Sequence, residues 1–270
     1  MPRLLSEQQI ADYGRKGCIF PIRITTTKEA RELRRKLEEL EQAIGAEAQT
    51  RFKIKAHLPF PWMHTLIRNP LMLDAIEDLI GPNILCWGSS FFIKRAEDPR
   101  FVSWHQDSTY YGLQPPETAT AWVAFSDSTV ESGCLRFIPA THHQGILEHE
   151  ETRDKQNLLM RGQTIKGVDE SQAVDVVLRA GEISIHHEAV VHGSNPNRSG
   201  DARIGLSIHY IAPQVRQTAF NGASALLVRG EDTHGYWEID PIPERDFDPI
   251  CVQAMDWRYA QYKSGIGKSH

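Results

Sequence analysis

The sequence predicts a mainly β domain with flanking helices, a barrel or double-sheet jelly roll behind an N-terminal helical region. Residues 1–82 hold capped helical segments with apolar stripes. From residue 83 the chain changes to short runs rich in β-formers, separated by Gly, Pro and Asn/Asp turns. No internal repeat or linker interrupts the 270 residues, a length that suits one large domain. The expected division is a helical front over about 1–82, a jelly-roll core over about 83–215 and a C-terminal wrap over about 216–270.

Taken in order, Ser6 caps a first helix, with Gln9 completing a capping box and Ile10 and Tyr13 giving an apolar side. Residues 14–17 end it, and 18–22 read as a strand. One of Thr25, Thr26 and Thr27 caps the next helix, which runs from near Glu29 to Ile44. Leu33, Leu37, Leu40 and Ile44 form its stripe and Gly45 stops it. That stripe is short, which favours a helix laid on a sheet over a free coiled coil.

Residues 51–66 alternate in part, with Lys53, Lys55, His57 and His64 among Phe52, Ile54, Leu58, Phe60 and Trp62. The first reading is a solvated face with structural histidines, the second a cover over the mouth of a site. Pro70–Ile80 is a compact helix burying Leu71, Leu73, Ile76 and Leu79. Strands are expected at 84–93, 101–105, 118–125, 133–138, 174–178, 182–186 and 203–211. The polar stretch 221–248, with Pro241 and Pro243, is expected to end the sheet and wrap the surface. Trp257, Tyr259 and Tyr262 suggest a short docked helix near the end.

Composition bounds the function. Lys+Arg number 30 against Asp+Glu 35, a net charge of −5, and no long basic run offsets it. Nucleic acid and anionic membrane are therefore poor partners, and a small-molecule substrate is expected for a monomer or homodimer. No stretch has the length of a membrane span and no apolar leader opens the chain, so cytoplasm is the expectation. Cys18, Cys86, Cys134 and Cys251 lack the paired spacing of a zinc site and read as reduced thiols.

The chemistry centres on Trp104-His105-Gln106-Asp107. On an extended strand His105 and Asp107 leave the same face, while Gln106 points behind it. An imidazole and a carboxylate hold a divalent iron while leaving positions open, provided a second histidine returns to the same place. Three compete for that position: His186, His187 and His192. His192, at the end of the Ala189-Val190-Val191 run and before Gly193, is the candidate, because a turn there exposes it. Arg203 follows after the loop of Asn195, Pro196, Asn197 and Gly200, and its planar fork suits the far end of a small diacid. Ordinary loop histidines and a structural ion pair for Arg203 are the competing readings.

At these residues the sequence resembles the phytanoyl-CoA dioxygenase family of Fe(II)- and 2-oxoglutarate-dependent oxygenases. The matching stretches are Trp104 to Asp107, Thr120 to Phe125, Glu131 to Pro139 with His142, and His192-Gly193-Ser194 with Asn197, Ser199 and Arg203. The resemblance implies a double-stranded β-helix, with His105, Asp107 and His192 as iron ligands and O2 as oxidant. By the same resemblance Arg203, Ser194 and Lys94 bind 2-oxoglutarate. Related halogenases carry a small residue where this chain has Asp107, so hydroxylation is expected over chlorination.

Tyr110, Tyr111 and Trp122 are expected as substrate walls, and Lys55 and His57 as contacts to an anionic group of a small polar metabolite. Desaturation, cyclisation or epoxidation by the same chemistry, a metal-free jelly-roll binding protein and a zinc hydrolase are the alternatives.

Overall fold

Two β-sheets face each other, with helices packed on the outside of the larger one. The structure, a computed structural model, describes residues 1–152 and 154–266, apart from the side chains at 110 and 264–266. Helix α1 (Glu7–Lys16) begins at the capping box of Ser6 and Gln9, and α2 (Thr27–Ile44) at that of Thr26 and Glu29. Both stop at a glycine in the left-handed conformation, Gly17 and Gly45. Two short helices, α3 (Ala48–Arg51) and α4 (Pro61–Leu66), precede α5 (Pro70–Ile80). In α5 the inward residues are Met72, Leu73, Ala75 and Ile76, whereas Leu71 is exposed. Met72, Ile76 and Leu79 keep the i, i+4, i+7 spacing and Leu71 falls off that stripe.

The strands of the two main sheets are β1 (Cys18–Arg23), β2 (Ile84–Lys94), β3 (Val102–His105), β4 (Thr118–Ala124), β5 (Leu135–Ile138) and β6 (Val174–Val176). They continue with β7 (Glu182–His186), β8 (Val191–Ser194), β9 (Arg203–Ile211), β10 (Ser224–Arg229) and β11 (Glu238–Ile239). The large sheet has the order β1-β7-β4-β9-β2-β10-β11 and the small one β3-β8-β5-β6. Strands β10 and β11 pair in parallel, and the others antiparallel. This is the double-stranded β-helix, with its helical front.

Period-two alternation sorts the large sheet into two faces. Ile204, Leu206, Ile208 and Tyr210 of β9 join Ala121, Val123, Ile183 and Ile185 against the helices, where Leu37, Phe52, Met63 and Ile76 complete the main core. The alternate residues Arg203, Ser207 and His209 face the other sheet and line a cavity. Between the sheets Trp122, Ala124, Leu135, Phe137, Val176 and Val190 form a second apolar layer.

Two expectations are corrected. The stretch 51–66 is not a solvated face: Phe52, Lys55, Ala56, His57, Leu58 and Phe60 are all buried. Nor does the chain beyond residue 216 only wrap the surface. The apolar run Ala225 to Val228 inserts β10 into the large sheet beside β2, and Trp237 and Asp240 are buried behind it.

One contact ties these two segments together. Lys55 Nζ donates to Asp240 Oδ2 at 2.6 Å and to the Ser224 carbonyl at 2.8 Å, while Ser224 Oγ donates to Asp240 Oδ1 at 2.5 Å. Lys55 itself has a positive φ of 50°, at a turn where its carbonyl accepts from Leu58 N–H. Removing one partner strands the other charge. Asp240→Ala is expected to lower the unfolding free energy by about 3–5 kcal/mol in chemical denaturation. A loss below about 1 kcal/mol, the value of a surface pair, would show that the lock is not structural.

Candidate active site

His105 and His192 sit directly opposite each other across the antiparallel β3–β8 pair, with ring centroids 4.1 Å apart. His192 therefore lies within a strand and not at a turn, held by ladders to β3 on one side and β5 on the other. Asp107 also differs from expectation. Strand β3 stops at His105, and Asp107 takes helical angles (φ −64°, ψ −35°) at the start of a short helical turn, α6 (Ser108–Tyr111). The Ser108 N–H donates to the Glu188 carbonyl at 3.0 Å, anchoring the bend, and Gly112 at φ 60° closes the turn.

Gln106 points behind the site as the alternation predicts. Its Nε2 donates to the carbonyls of Gly145 and Ala189, and its Oε1 accepts from Leu147 N–H.

Asp107 Oδ1 lies 3.5 Å from His105 Nε2 and 3.8 Å from His192 Nε2, and one donor atom from each residue falls within 4.8 Å of the others. Metal–ligand bonds of roughly 2.0–2.2 Å place neighbouring ligands about 3 Å apart, so a small inward movement closes this set on an ion. Both rings are already oriented. His105 Nδ1 donates to the Ser103 carbonyl at 2.9 Å and His192 Nδ1 to the Val190 carbonyl at 3.0 Å. A carbonyl only accepts, so each Nε2 keeps its lone pair for the metal.

Burial, and then the neighbouring His105, hold His192 well below the usual imidazole range. Burial would raise the Asp107 carboxyl, yet the rings of His192, His105 and His186 hold it well below the usual range. Two imidazoles and one carboxylate are the donor set of a facial triad for Fe(II).

The triad opens into a cavity of about 770 Å3. Arg203 lines it, is 1% exposed, and has Nε and Nη2 buried without a hydrogen-bond partner. Among the described residues no carboxylate forms an ion pair with Arg203; its guanidinium instead sits 5.2 Å from the centre of the Trp122 ring. Gly205 makes room for that ring, since a Cβ there would lie 1.8 Å from Trp122.

Lys94 is paired across the ladder with Arg203 and is fully buried. Its ammonium donates to Ser194 Oγ at 2.6 Å and to the Asn195 carbonyl. Lys94 thus lies behind Ser194, which does line the cavity. Burial, and then the adjacent Arg203, pull Lys94 down to about 6, and burial pulls Arg203 down to about 10. Arg203 is thus the charge that faces the cavity, and its guanidinium has no carboxylate paired to it among the described residues.

Tyr111 lines the cavity and its hydroxyl hydrogen-bonds His209 Nδ1 at 3.0 Å. The side chain of Tyr110 lies outside the described residues. Lys55 reaches the cavity wall but spends its charge on Asp240, and His57 is buried away from the cavity with Nδ1 2.8 Å from Ser89 Oγ. Neither is available to an anionic substrate as the sequence suggests, because each is needed to satisfy the buried segment that carries it.

His186, weighed as a ligand, lines the same cavity 3.6 Å from Asp107 Oδ2, just beyond hydrogen-bond reach. His209 and Ser207 were missed, although they follow Arg203 by even steps on one strand.

The model for the phytanoyl-CoA dioxygenase (PhyH) family matches residues 13–205. The chain belongs to this family. Among curated relatives, the phytanoyl-CoA dioxygenase domain-containing protein 1 homolog of Dictyostelium discoideum is 32% identical over 51% of this chain and 50% of its own length. A probable alpha-ketoglutarate-dependent hypophosphite dioxygenase of Stutzerimonas stutzeri is 25% identical over 66% and 64%. The chain spans 50–65% of the length of the first curated relatives it matches.

Among solved structures, the apo form of the non-heme monooxygenase ThoJ superposes with a TM-score of 0.85 at 32% identity, covering 96% of this chain and 98% of that one. CytC3 with Fe(II) and alpha-ketoglutarate shares the fold, with a TM-score of 0.68 at 24% identity over 92% and 98%. Within the family match lie His105, Asp107 and His192, the three residues whose donor atoms could together hold a metal ion. Among the described residues no helix is long and apolar enough to cross a membrane.

Proposed function

We propose that this protein is an Fe(II)- and 2-oxoglutarate-dependent dioxygenase that hydroxylates an unactivated C–H bond of a small molecule, releasing succinate and CO2. The observation that carries the reading is a buried guanidinium without a counter-ion in the cavity that also holds the facial triad. Fe(II), 2-oxoglutarate and O2, when bound, supply the oxidation that places one oxygen atom on the substrate carbon and the other in succinate.

The chain's own residues do the rest. His105 Nε2, His192 Nε2 and a carboxylate oxygen of Asp107 would hold the ion, a donor set that suits Fe(II). Arg203 takes the distal carboxylate of 2-oxoglutarate in its fork, in a site dry enough to make that pairing strong. Ser194 Oγ accepts from Lys94, so its own hydroxyl proton is left to donate to the same carboxylate. Lys94 acts here as a positioning residue.

Asp107 would supply a carboxylate where related halogenases carry a small residue, which favours hydroxylation over chlorination. The four cysteines are buried and free, the state that a reducing compartment such as the cytoplasm maintains.

The test is an anaerobic titration followed by visible absorbance. A weak charge-transfer band is expected only when Fe(II) and 2-oxoglutarate are both present. A spectrum that is unchanged with both added would sink the reading.

A further inference from the structure

The cavity is larger and more aromatic than a small polar metabolite needs. At about 770 Å3 it lies in the upper part of the range that encloses drug-sized ligands. One wall is aromatic from the metal end outward. Tyr111 packs edge-on to Trp87 at 4.7 Å and Trp87 lies 6.4 Å from Trp237, while Phe220 and Tyr262, 6.4 Å apart, also line the cavity.

The charges along the other walls are already matched. Lys55 pairs with Asp240, Arg100 with Glu47 and Asp98, Arg161 with Glu151, and Arg258 with Glu238. Apart from Arg203, the lining cations that lack a carboxylate among the described residues are Lys53, half-buried over the Tyr259 ring, and exposed Lys155. Inside, Arg203 is committed to the cosubstrate. An anionic group carried deep into this cavity would therefore meet no free positive charge and would lose its hydration. A flat uncharged ring would instead exchange water for stacking and edge contacts with Trp87, Tyr111 and Trp237.

We propose that the primary substrate presents an uncharged aromatic or other planar ring system to the Trp87–Tyr111–Trp237 wall, with the carbon to be oxidised carried on or beside that ring. This inference rests on the oxygenase reading for the position of the reacting centre, whereas the ring preference itself is a property of the wall. The ring could belong to a free metabolite or to a side chain of a short peptide, and the chemistry recognised is the same.

The experiment measures dissociation constants by calorimetry on the protein loaded anaerobically with Fe(II) and 2-oxoglutarate. The probes are N-acetyl-tryptophanamide, its carboxylate counterpart N-acetyl-tryptophan, the ringless N-acetyl-leucinamide, and a capped Gly-Trp-Gly tripeptide. The indole amide is expected to bind about tenfold or more tighter than the carboxylate and the ringless amide. Tighter binding of the tripeptide would assign the ring to a peptide, and tighter binding of the free amide to a metabolite. Trp87→Leu and Trp237→Leu should each erase most of the preference, with thermal melts verifying that the variants fold.

Equal affinities across the first three probes, a preference for the carboxylate, or no detectable binding of either ring-bearing neutral probe would overturn the proposal. The charge-transfer band of the same parent sample reports separately on the oxygenase reading.

Discussion

Asp107→Ala is expected to abolish 2-oxoglutarate turnover, with succinate formation falling well beyond the roughly 10–100-fold that follows loss of an outer-shell partner. The variant leaves two neutral imidazoles facing the ion with no charge of opposite sign, so iron affinity and activity should fall together. The fold should survive, because the Asp107 side chain caps no helix and its removal relieves a buried carboxylate of its desolvation. Succinate assays and Fe(II) titration of the folded variant are the measurements. Undiminished turnover would mean that the oxidation happens elsewhere.

Arg203→Ala should raise the KM for 2-oxoglutarate by about two to three orders of magnitude. Truncating one side of a buried, hydrogen-bonded charge pair costs about 2–5 kcal/mol, and each factor of ten is about 1.4 kcal/mol. Fe(II) binding without cosubstrate should stay close to that of the parent, which separates loss of the grip from loss of the metal. Arg203→Lys should rescue little. An ammonium lacks the two-pronged geometry and would stand across the ladder from the Lys94 side chain. A KM within about twofold of the parent in the alanine variant would move the cosubstrate's carboxylate to another residue.

Much of this was legible before the coordinates. Helix caps at Ser6 and Thr26 and stops at Gly17 and Gly45 are local signals, and local signals survive folding. The nine residues of β9 match the expected strand because Ile204, Leu206, Ile208 and Tyr210 alternate along it, and Gly205 within it makes room for Trp122 and not for a turn. The triad was readable because two ligands are near neighbours and the third sits in a recognisable His-Gly-Ser stretch.

What escaped was long-range. Nothing local to Lys55 shows that Asp240 will be its partner, so a buried ion pair looks like a basic patch. His57 reads as a candidate contact until Ser89 is seen beside it. The bend that takes Asp107 out of the strand depends on a carbonyl contributed by Glu188, far along the chain. His209 was within reach, since even steps from Arg203 along an apolar strand mark the residues that share its face. The aromatic wall could not be read, because Trp87, Tyr111 and Trp237 meet only when β10 and the segment after it close against β2.

The two histidines of the triad hang from the small sheet and the guanidinium from the large one, with Phe137 seated 5.0 Å from the His186 ring and 6.0 Å from the His192 ring in the layer between them. The thickness of the sandwich therefore works as a calliper, setting the span that a five-carbon diacid would bridge from one jaw to the other. A change of side-chain volume in that interlayer would open or narrow the jaws and detune the enzyme for its cosubstrate, without altering any atom that touches it.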